Sequence, residues 1–417
     1  MARRGAVSLL LSFNLFSFSP RATGDSPVEP VENSPASKAL NTVSAAQAGL
    51  NPQALNEIDA IIEQEIWSGR IPGAVLVVGR NGMIAKSQAY GMRALAPRKQ
   101  PMRLDTIFDL ASCTKPVATV SMTMKLYEEG KISLDDRVER YVPEFGQRGK
   151  NRATIRNLLT HSSGLRPYAT VDQIKEESGG LPPSQALIQY ICSLAPDYEA
   201  GKGYKYSCLN YLLLMRINEQ VAQTPAETYL RERIFGPLGM RDTGYELTKR
   251  QVSRCAPTTR KPNGEFLKGE VHDPLANFYK TAAAFPGNAG LFSTAQDLSI
   301  FLRMLLNHGS FNGVRIFKPD TVELMLTPQS PAESGALRTC GWAVLEDPSQ
   351  AAGASGAAAR GPILYHTGWT GTYLWLDRGS DTFMVLLTNR EHPNGGDAGL
   401  VRQKCVEAVL RGIEGRH

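Results

Sequence analysis

The chain has 417 residues, of which 42% are hydrophobic and 21% are charged, and its formal net charge is +6. This composition is typical of a packed globular protein and excludes a disordered one. No apolar run reaches the roughly 18 residues of a membrane span, which excludes a multi-span membrane protein. The basic residues form no block, so nucleic-acid binding is not predicted.

The first residues have the features of an export signal. A cationic start (MARR) precedes a short apolar stretch over 5–18, and residues 22–24 offer a small-residue cleavage site. We therefore predict a signal peptide over 1–24 and a periplasmic or secreted protein with no transmembrane span in its mature chain. A disordered N-terminus is the alternative, because Asn14 and several serines interrupt the apolar stretch. Residues 25–48, rich in Pro, Ser and Ala, are predicted to be a flexible linker.

Hydrophobic periodicity predicts strands near both ends of the ordered chain and helices between them. A helix over 52–68 leads into strands over 73–79 and 83–90, which an Asn-Gly turn joins. The middle is predicted to be helical over five stretches: 112–129, 186–194, 211–221, 225–234 and 295–307. The last part is predicted to hold strands, a closing helix and a flexible insertion: strands 341–346, 363–365, 373–377 and 382–388, helix 400–413 and insertion 349–362.

This order of elements predicts one domain over 49–412, in which both chain ends build a single sheet and a helical part is inserted between them. The α/β part covers about 49–111 and 310–412, and the helical part covers about 112–309. The fold class is therefore α/β plus all-α. The sequence does not define an oligomeric state.

Familiar cofactor and metal motifs do not occur. The chain has no phosphate-binding glycine loop, no dinucleotide fingerprint, no G-x-S-x-G elbow and no H-E-x-x-H. The six cysteines have no zinc-ligand spacing, and their pairing cannot be read from the sequence: Cys113, Cys192, Cys208, Cys255, Cys340 and Cys405. We predict neither a metal nor a cofactor.

One short motif offers nucleophilic chemistry. Ser112 and Lys115 form the only S-x-x-K in the chain, at the start of a predicted helix. Residues three apart share a helix face, so the lysine amine is expected beside the serine hydroxyl. A serine needs such a base to act as a nucleophile. A solvated lysine on an ordinary helix is the alternative interpretation of this short motif.

The surroundings of this motif resemble the class C β-lactamase and penicillin-binding-protein family, which includes related esterases and D-peptidases. The resemblance covers roughly residues 50–412. Its motifs occur in the family order: 109–116 (DLASCTKP), 154–165 (TIRNLLTHSSGL), 204–211 (YKYSCLNY), 290–294 (GLFST), 366–368 (HTG) and 387–390 (LTNR). The family's fold is an antiparallel sheet flanked by helices with an inserted helical domain, which agrees with the periodicity.

The resemblance implies the roles of the site residues. Ser112 would be acylated, and Lys115 and Tyr206 would share the work of a general base. The backbone N–H groups of Ser112 and Trp369 would form an oxyanion hole. Substrate-binding positions would be Cys208, His366, Thr367 and Gly368.

Two positions depart from the family pattern. His366 stands where the family has a lysine, and imidazole supplies less fixed charge at neutral pH. Cys208 stands where the family has an asparagine, and a thiol is a weak hydrogen-bonding group. Both changes weaken the recognition and activation of amides more than those of esters. His161, within the 154–165 motif, is expected to organise a loop rather than to catalyse.

We therefore predict an exported serine hydrolase that forms an acyl-enzyme on Ser112 and acts on carboxylic esters or related small acyl compounds. A β-lactamase or D-alanyl-D-alanine carboxypeptidase acting on amides is the alternative enzyme. A non-catalytic penicillin-binding-like module that binds wall peptides is the alternative from another class.

Overall fold

The computed structural model describes residues 40–345 and 362–414. The predicted signal peptide and most of the predicted linker lie outside these residues. The predicted insertion also lies outside them, apart from its last residue, Pro362.

The strands of the described residues fall into an early group and a late group, with short strands between. The early strands are β1 (Gly73–Arg80), β2 (Met83–Ala94), β3 (Gln100–Pro101) and β4 (Phe108–Asp109). The middle and late strands are β5 (Phe292–Ser293), β6 (Ser310–Phe311), β7 (Val314–Arg315), β8 (Ala343–Leu345), β9 (Ile363–Thr367), β10 (Tyr373–Asp377) and β11 (Thr382–Thr388).

Helices occupy most of the chain between these two groups of strands. The α-helices are α1 (Pro52–Trp67), α2 (Ser121–Glu128), α3 (Ile155–Leu159), α4 (Val171–Glu177), α5 (Pro183–Ser193), α6 (Cys208–Ala222), α7 (Ala226–Leu230), α8 (Gly236–Leu238), α9 (Lys249–Arg254), α10 (Pro274–Tyr279), α11 (Ala295–Leu306), α12 (Pro319–Leu326) and α13 (Gly399–Glu414). Among the helices of the described residues, none is long and apolar enough to cross a membrane.

The main sheet has seven strands in the order β3-β2-β1-β11-β10-β9-β8. Its centre is the antiparallel pair β1 and β11, in which Ala74 lies opposite Thr388 and Arg80 opposite Thr382. The predicted sheet from both chain ends is therefore confirmed, as is the fold class of an antiparallel sheet flanked by helices with helices inserted between its two halves.

Each face of this sheet is covered by a different part of the chain. Helices α1 and α13 cover one face through residues such as Ile58, Ile62 and Val409, all of them buried. The inserted helices and α11 cover the other face, against Val75, Val77 and their neighbours. Because both faces are covered, every residue of β1 is buried.

The C-terminal end of the predicted linker differs from the expectation. Thr42 bridges to Ile84 in β2, where Val43 N–H donates to the Ile84 carbonyl at 2.9 Å and Ile84 N–H donates to the Asn41 carbonyl at 2.8 Å. Ala48 is buried. Residues 40–48 thus pack on the sheet, because a few backbone hydrogen bonds and small apolar side chains are enough to hold a segment without marked periodicity.

A tight turn between β9 and β10 joins the sheet to the start of the helical part. Gly368 N–H donates to the Thr372 carbonyl at 2.7 Å and closes the turn. The hydroxyls of Thr370 and Thr372 each donate, at 2.8 Å, to the carbonyls of Asp109 and Leu110. A Cβ atom at position 368 would overlap both the Thr372 hydroxyl and the Leu110 carbonyl oxygen, so only glycine fits there.

We expect Gly368→Ala to destabilise the fold by about 1–3 kcal/mol, the cost of forcing an added group into a packed site. Urea unfolding measures this loss. Gly412→Ala is the matched control, because a Cβ there would meet Ala54 at an ordinary 3.6 Å. That change should be neutral or slightly stabilising, since it removes a glycine from α13. Equal stability of Gly368→Ala and the parent would contradict this account of the turn.

Candidate active site

Ser112 lies on a strained connection between β4 and the first inserted helix. Ala111, directly before it, has a φ of +45°, a region that residues other than glycine rarely adopt. The carboxylate of Asp109 accepts the Ala111 N–H at 2.8 Å and holds this turn. Strain of this kind is typical of functional sites, where surrounding contacts maintain it.

The predicted helix over 112–129 is present but irregular. It begins as a 3₁₀ turn over Ala111–Cys113, continues as a π-helix over Lys115–Val120 and becomes α2 only at Ser121. A π-helical segment widens the spacing of the backbone, and such segments are common at functional sites. Hydrophobic periodicity does not reveal this irregularity, because all of Lys115–Val120 is buried.

Lys115 reaches the serine as its spacing predicts. Its ammonium nitrogen lies 3.0 Å from Ser112 Oγ and 2.9 Å from the carbonyl oxygen of Asn288. Cys208 Sγ is 3.7 Å away on another side. Lys115 is completely buried, so these few contacts replace the water that an exposed ammonium would have.

Tyr206 comes to the same place from the segment before α6. The Lys115 nitrogen lies 4.9 Å from the centroid of its ring. Burial raises the pKa of this phenol above its ordinary value, although the neighbouring Lys115 charge opposes the shift. Burial also acts to lower the pKa of Lys115, but Cys208 and Tyr206 outweigh it and leave that pKa raised. At neutral pH the pair is therefore an ammonium and a neutral phenol.

His366 is buried beside Tyr206, with 6.2 Å between the two ring centroids. Burial lowers its pKa well below the usual value, and the positive charges of Lys115 and Arg338 add to this effect. The imidazole is therefore neutral at pH 7. Its Nδ1 lies 2.9 Å from the Thr367 carbonyl, which can only accept, so Nδ1 carries the proton.

This tautomer changes what His366 can do. Its Nε2 is left as an acceptor, and that atom is buried with no hydrogen-bond partner among residues 40–345 and 362–414. A neutral imidazole donates from one ring nitrogen and accepts at the other. Because Nδ1 donates to Thr367, Nε2 can only accept, and the hydrogen bond that it accepts can come from a hydroxyl or an amide N–H.

His161 holds the segment that carries Tyr206. Its Nδ1 accepts the Ser207 N–H at 3.0 Å, and its carbonyl accepts the Lys205 N–H at 3.1 Å. Its ring lies 4.5 Å from the Tyr206 ring, centroid to centroid. These contacts agree with the expected loop-organising role.

All six cysteines lie in the described residues and are free thiols. Cys208 is half-buried, whereas the other five are buried. It begins α6, and burial raises the pKa of its thiol, against the charge of Lys115. A neutral thiol at 3.7 Å from an ammonium is a weak acceptor. It is therefore a poor substitute for an amide side chain at this position.

Trp369 and its neighbours reach the site through the turn described above. Thr367 and Trp369 are exposed, whereas Gly368 is buried against Leu110. The hydrogen bonds from Thr370 and Thr372 hold this turn against the two residues that precede Ala111. The backbone segments that contain Ser112 and Trp369 are thus fixed relative to each other.

Two residues near the site were missed by sequence reasoning. Asn288 supplies the carbonyl that binds Lys115, and its amide donates to Asp273 at 3.1 Å. Arg338 is buried, with its guanidinium 5.6 Å from the Tyr204 ring, and it pairs with no carboxylate in the described part of the chain. Neither residue belongs to a short motif, so no local signal could have found them.

Within the described residues, no group of three or more His, Cys, Asp and Glu side chains could hold a metal ion. The arrangement that the structure does offer is a hydroxyl, an amine and a phenol close together, with the Gly368 turn bonded to the segment that leads into Ser112. That arrangement suits the transfer of an acyl group through a serine.

Comparison with known proteins gives a consistent result. The model of the Beta-lactamase family matches residues 58–404. The N-acetylmuramyl-L-alanine amidase of Bacillus subtilis is 32% identical over 84% of both chains. A putative D-alanyl-D-alanine carboxypeptidase of Escherichia coli is 30% identical over 85% of this chain and 86% of the relative.

A solved structure supports the same assignment. EstCE1, a hydrolase with promiscuous acyltransferase activity, superposes with a TM-score of 0.69 and 25% identity over 86% of this chain and 98% of that one. The family match covers well over half of the chain, and both relatives are matched over most of their length. The chain therefore belongs to the beta-lactamase family and is a serine hydrolase of that family.

Proposed function

We propose that this hydrolase acts on carboxylic esters or related small acyl compounds and forms its acyl-enzyme on Ser112. The observation that carries the proposal is the 3.0 Å contact between Ser112 Oγ and the buried Lys115 nitrogen, with Tyr206 beside them. A binding module would not need a buried amine against a serine hydroxyl, which favours an enzyme over a silent module.

The proposed reaction begins with the loss of one proton from the Lys115–Tyr206 pair, because the resting pair is fully protonated at neutral pH. The freed amine or phenolate then accepts the Ser112 proton while Oγ attacks the acyl carbon. The same group returns the proton to the departing alcohol. Water then attacks the acyl carbon and gives a proton to the same group. That proton passes to Ser112 Oγ as the carboxylic acid leaves.

The developing oxyanion would lie between the backbone N–H groups of Ser112 and Trp369. Each such donor contributes roughly 2.7–4 kcal/mol to lowering a barrier of this type. The turn hydrogen bonds at Thr370 and Thr372 support the proposal, because they fix the two segments before a substrate arrives. Gly368 contributes to this arrangement by letting the turn pack directly against Leu110.

The preference for esters follows from the groups that surround the serine. His366 is neutral and accepts at Nε2, so it neither adds positive charge nor donates toward a carbonyl. Cys208 is a weak partner for an amide. An amide needs its leaving nitrogen protonated, whereas the alcohol of an ester leaves with less assistance. The absence of a lysine at 366 and of an amide side chain at 208 therefore raises the reaction barrier less for an ester than for an amide.

One observation favours a second candidate, a carboxypeptidase that cleaves D-alanyl amides. Arg338 is a buried guanidinium without a carboxylate partner in the described chain, and its charge acts on both His161 and His366. A buried cation without an anion is costly unless a ligand supplies one. A substrate that ends in a free carboxylate would supply it. The related carboxypeptidase of Escherichia coli is consistent with this candidate.

An exported enzyme fits either candidate. The predicted signal peptide over 1–24 would direct the protein to the periplasm or the medium, where small esters and wall peptides are both present. Its similarity to an N-acetylmuramyl-L-alanine amidase and a putative D-alanyl-D-alanine carboxypeptidase supports this part of the proposal.

We expect Tyr206→Phe to lower kcat for p-nitrophenyl butyrate by at least about 100-fold, the loss typical of a missing general base. Tyr211→Phe is the matched control: its ring also lies near Lys115, at 5.7 Å, but its hydroxyl donates to the Leu159 carbonyl. It should change kcat only a few-fold. Ser112→Ala should abolish both turnover and labelling by a fluorophosphonate. A few-fold loss in Tyr206→Phe would remove Tyr206 from the proposed role.

The pH profile tests the protonation states. The raised pKa values of Lys115 and Tyr206 mean that the active, deprotonated pair gains population as pH rises, so kcat/KM should increase from about pH 7 toward about pH 10. The lowered pKa of His366 predicts no inflection near 6.5. Rates in Ser112→Ala correct for spontaneous hydrolysis. An acid limb near 6.5 that disappears in His366→Gln would contradict this assignment.

Arg338→Gln tests the second candidate. A peptide ending in D-alanyl-D-alanine and its C-terminal carboxamide form the matched pair of substrates. If the carboxypeptidase candidate is right, the parent prefers the free carboxylate, and the variant loses about tenfold or more of kcat/KM on that form only, the value of a charge-assisted hydrogen bond. Release of D-alanine is the measurement. No release from either peptide, alongside rapid ester turnover, would leave the ester hydrolase alone.

A further inference from the structure

Trp369 is a large aromatic residue that stays in water next to the proposed reaction centre. It is 65% exposed, whereas Trp342 and Trp375 are completely buried. Leaving an indole in water gives up the stabilisation of its burial. Exposure alone does not assign a use, because Trp67 is 83% exposed at the end of α1, but Trp369 belongs to the turn bonded to the segment before Ser112.

The backbone that carries the ring is fixed from several sides. The guanidinium of Arg402 donates to the Gly368 carbonyl at 2.7 Å and to the Thr372 carbonyl at 3.1 Å. Thr370, on the other side of Trp369, is bonded to Asp109. The exposed ring thus stands on a rigid turn rather than on a loose loop.

One face of the indole is already covered by an arginine. The Arg390 guanidinium lies 4.7 Å from the ring centroid, and its Nε donates to the Trp369 carbonyl. Arg390 is itself held by the Gly396 carbonyl at 2.6 Å and by Glu391 at 2.9 Å. With one face against Arg390 and the residue mostly in solvent, the opposite face is available to a ligand.

The turn that carries the ring is bonded to the segment that leads into Ser112. The turn of Trp369 is bonded to Asp109 and Leu110, which lie within three residues of Ser112. A group that stacks on the indole would therefore belong to the part of the substrate next to its scissile carbonyl.

We propose that Trp369 is a stacking platform that selects substrates with a six-membered ring next to the scissile carbonyl. This inference rests on the proposed acyl transfer by Ser112. The face of an indole is negative, and it attracts both the edge hydrogens of an aryl ring and the axial C–H groups of a pyranose. A linear acyl chain covers less of that face. The shared chemistry is a six-membered ring that presents C–H groups to the indole, and the phenylacetate and glucuronoside esters distinguish its two sources.

The test compares three ethyl esters, whose leaving group carries no ring of its own: ethyl phenylacetate, the ethyl ester of a methyl glucuronoside, and ethyl hexanoate. Proton release reports turnover. We expect the parent to prefer at least one ring ester over the hexanoate, and Trp369→Ala to reduce that ratio of kcat/KM values by about 5- to 10-fold. The ratio cancels any shared loss from the altered turn. Trp369→Tyr, which keeps an aromatic face, should restore most of the preference.

Trp67→Ala is the matched control, because Trp67 is also exposed but ends α1. Its ratio should equal that of the parent. Loss of preference for the phenylacetate alone identifies an aryl ring, and loss for the glucuronoside alone identifies a pyranose. A ratio unchanged within twofold in Trp369→Ala overturns the platform.

Failure of the proposed function gives a different result. In that case no ester is hydrolysed and a fluorophosphonate does not label Ser112. The platform is then measured by tryptophan fluorescence in the Trp67→Ala background, titrated with phenylacetate and with the methyl glucuronoside. Saturable quenching that Trp369→Ala removes supports the platform, and absence of saturable quenching overturns it.

Discussion

The site depends on the burial of a single ammonium group. Lys115 is completely buried, and burying a charge is costly unless hydrogen bonds replace its water. Ser112 Oγ at 3.0 Å and the Asn288 carbonyl at 2.9 Å provide those bonds. The serine hydroxyl is thus part of the solvation of the lysine. Contact between nucleophile and base is therefore required by the stability of the fold and does not wait for a substrate.

Several distant features of the fold serve this one contact. The 3₁₀ turn over Ala111–Cys113 places Ser112 one turn before Lys115, and the loop before β5 brings the Asn288 carbonyl. His161 holds Tyr206 against the same amine through the Ser207 N–H. The turn between β9 and β10 ties the sheet to β4. Because each belongs to a different stretch of the chain, the site can form only when the sheet and the inserted helices have come together.

The sequence was sufficient for features that rest on a local pattern. Strands β10 and β11 have the predicted bounds, since alternating apolar runs flank a turn at 378–381, and the S-x-x-K spacing correctly predicted the contact of Ser112 with Lys115. The irregular start of the first inserted helix was not predictable, because a helix that is buried on all sides shows no hydrophobic periodicity. Arg338 and Asn288 were missed because their importance comes from tertiary neighbours.

The tautomer of His366 shows why residue type alone did not decide the chemistry. From the sequence, an imidazole in place of a lysine could donate, accept or carry a charge. The Thr367 carbonyl at 2.9 Å takes the Nδ1 proton, and burial beside Lys115 and Arg338 keeps the ring neutral. A lysine at this position would add a third buried cation to the two already there, with no carboxylate among the described residues paired to Arg338. The neutral histidine avoids that repulsion. It follows that the fixed positive charge around His366 comes from Lys115 and Arg338, and not from the residue at position 366 itself.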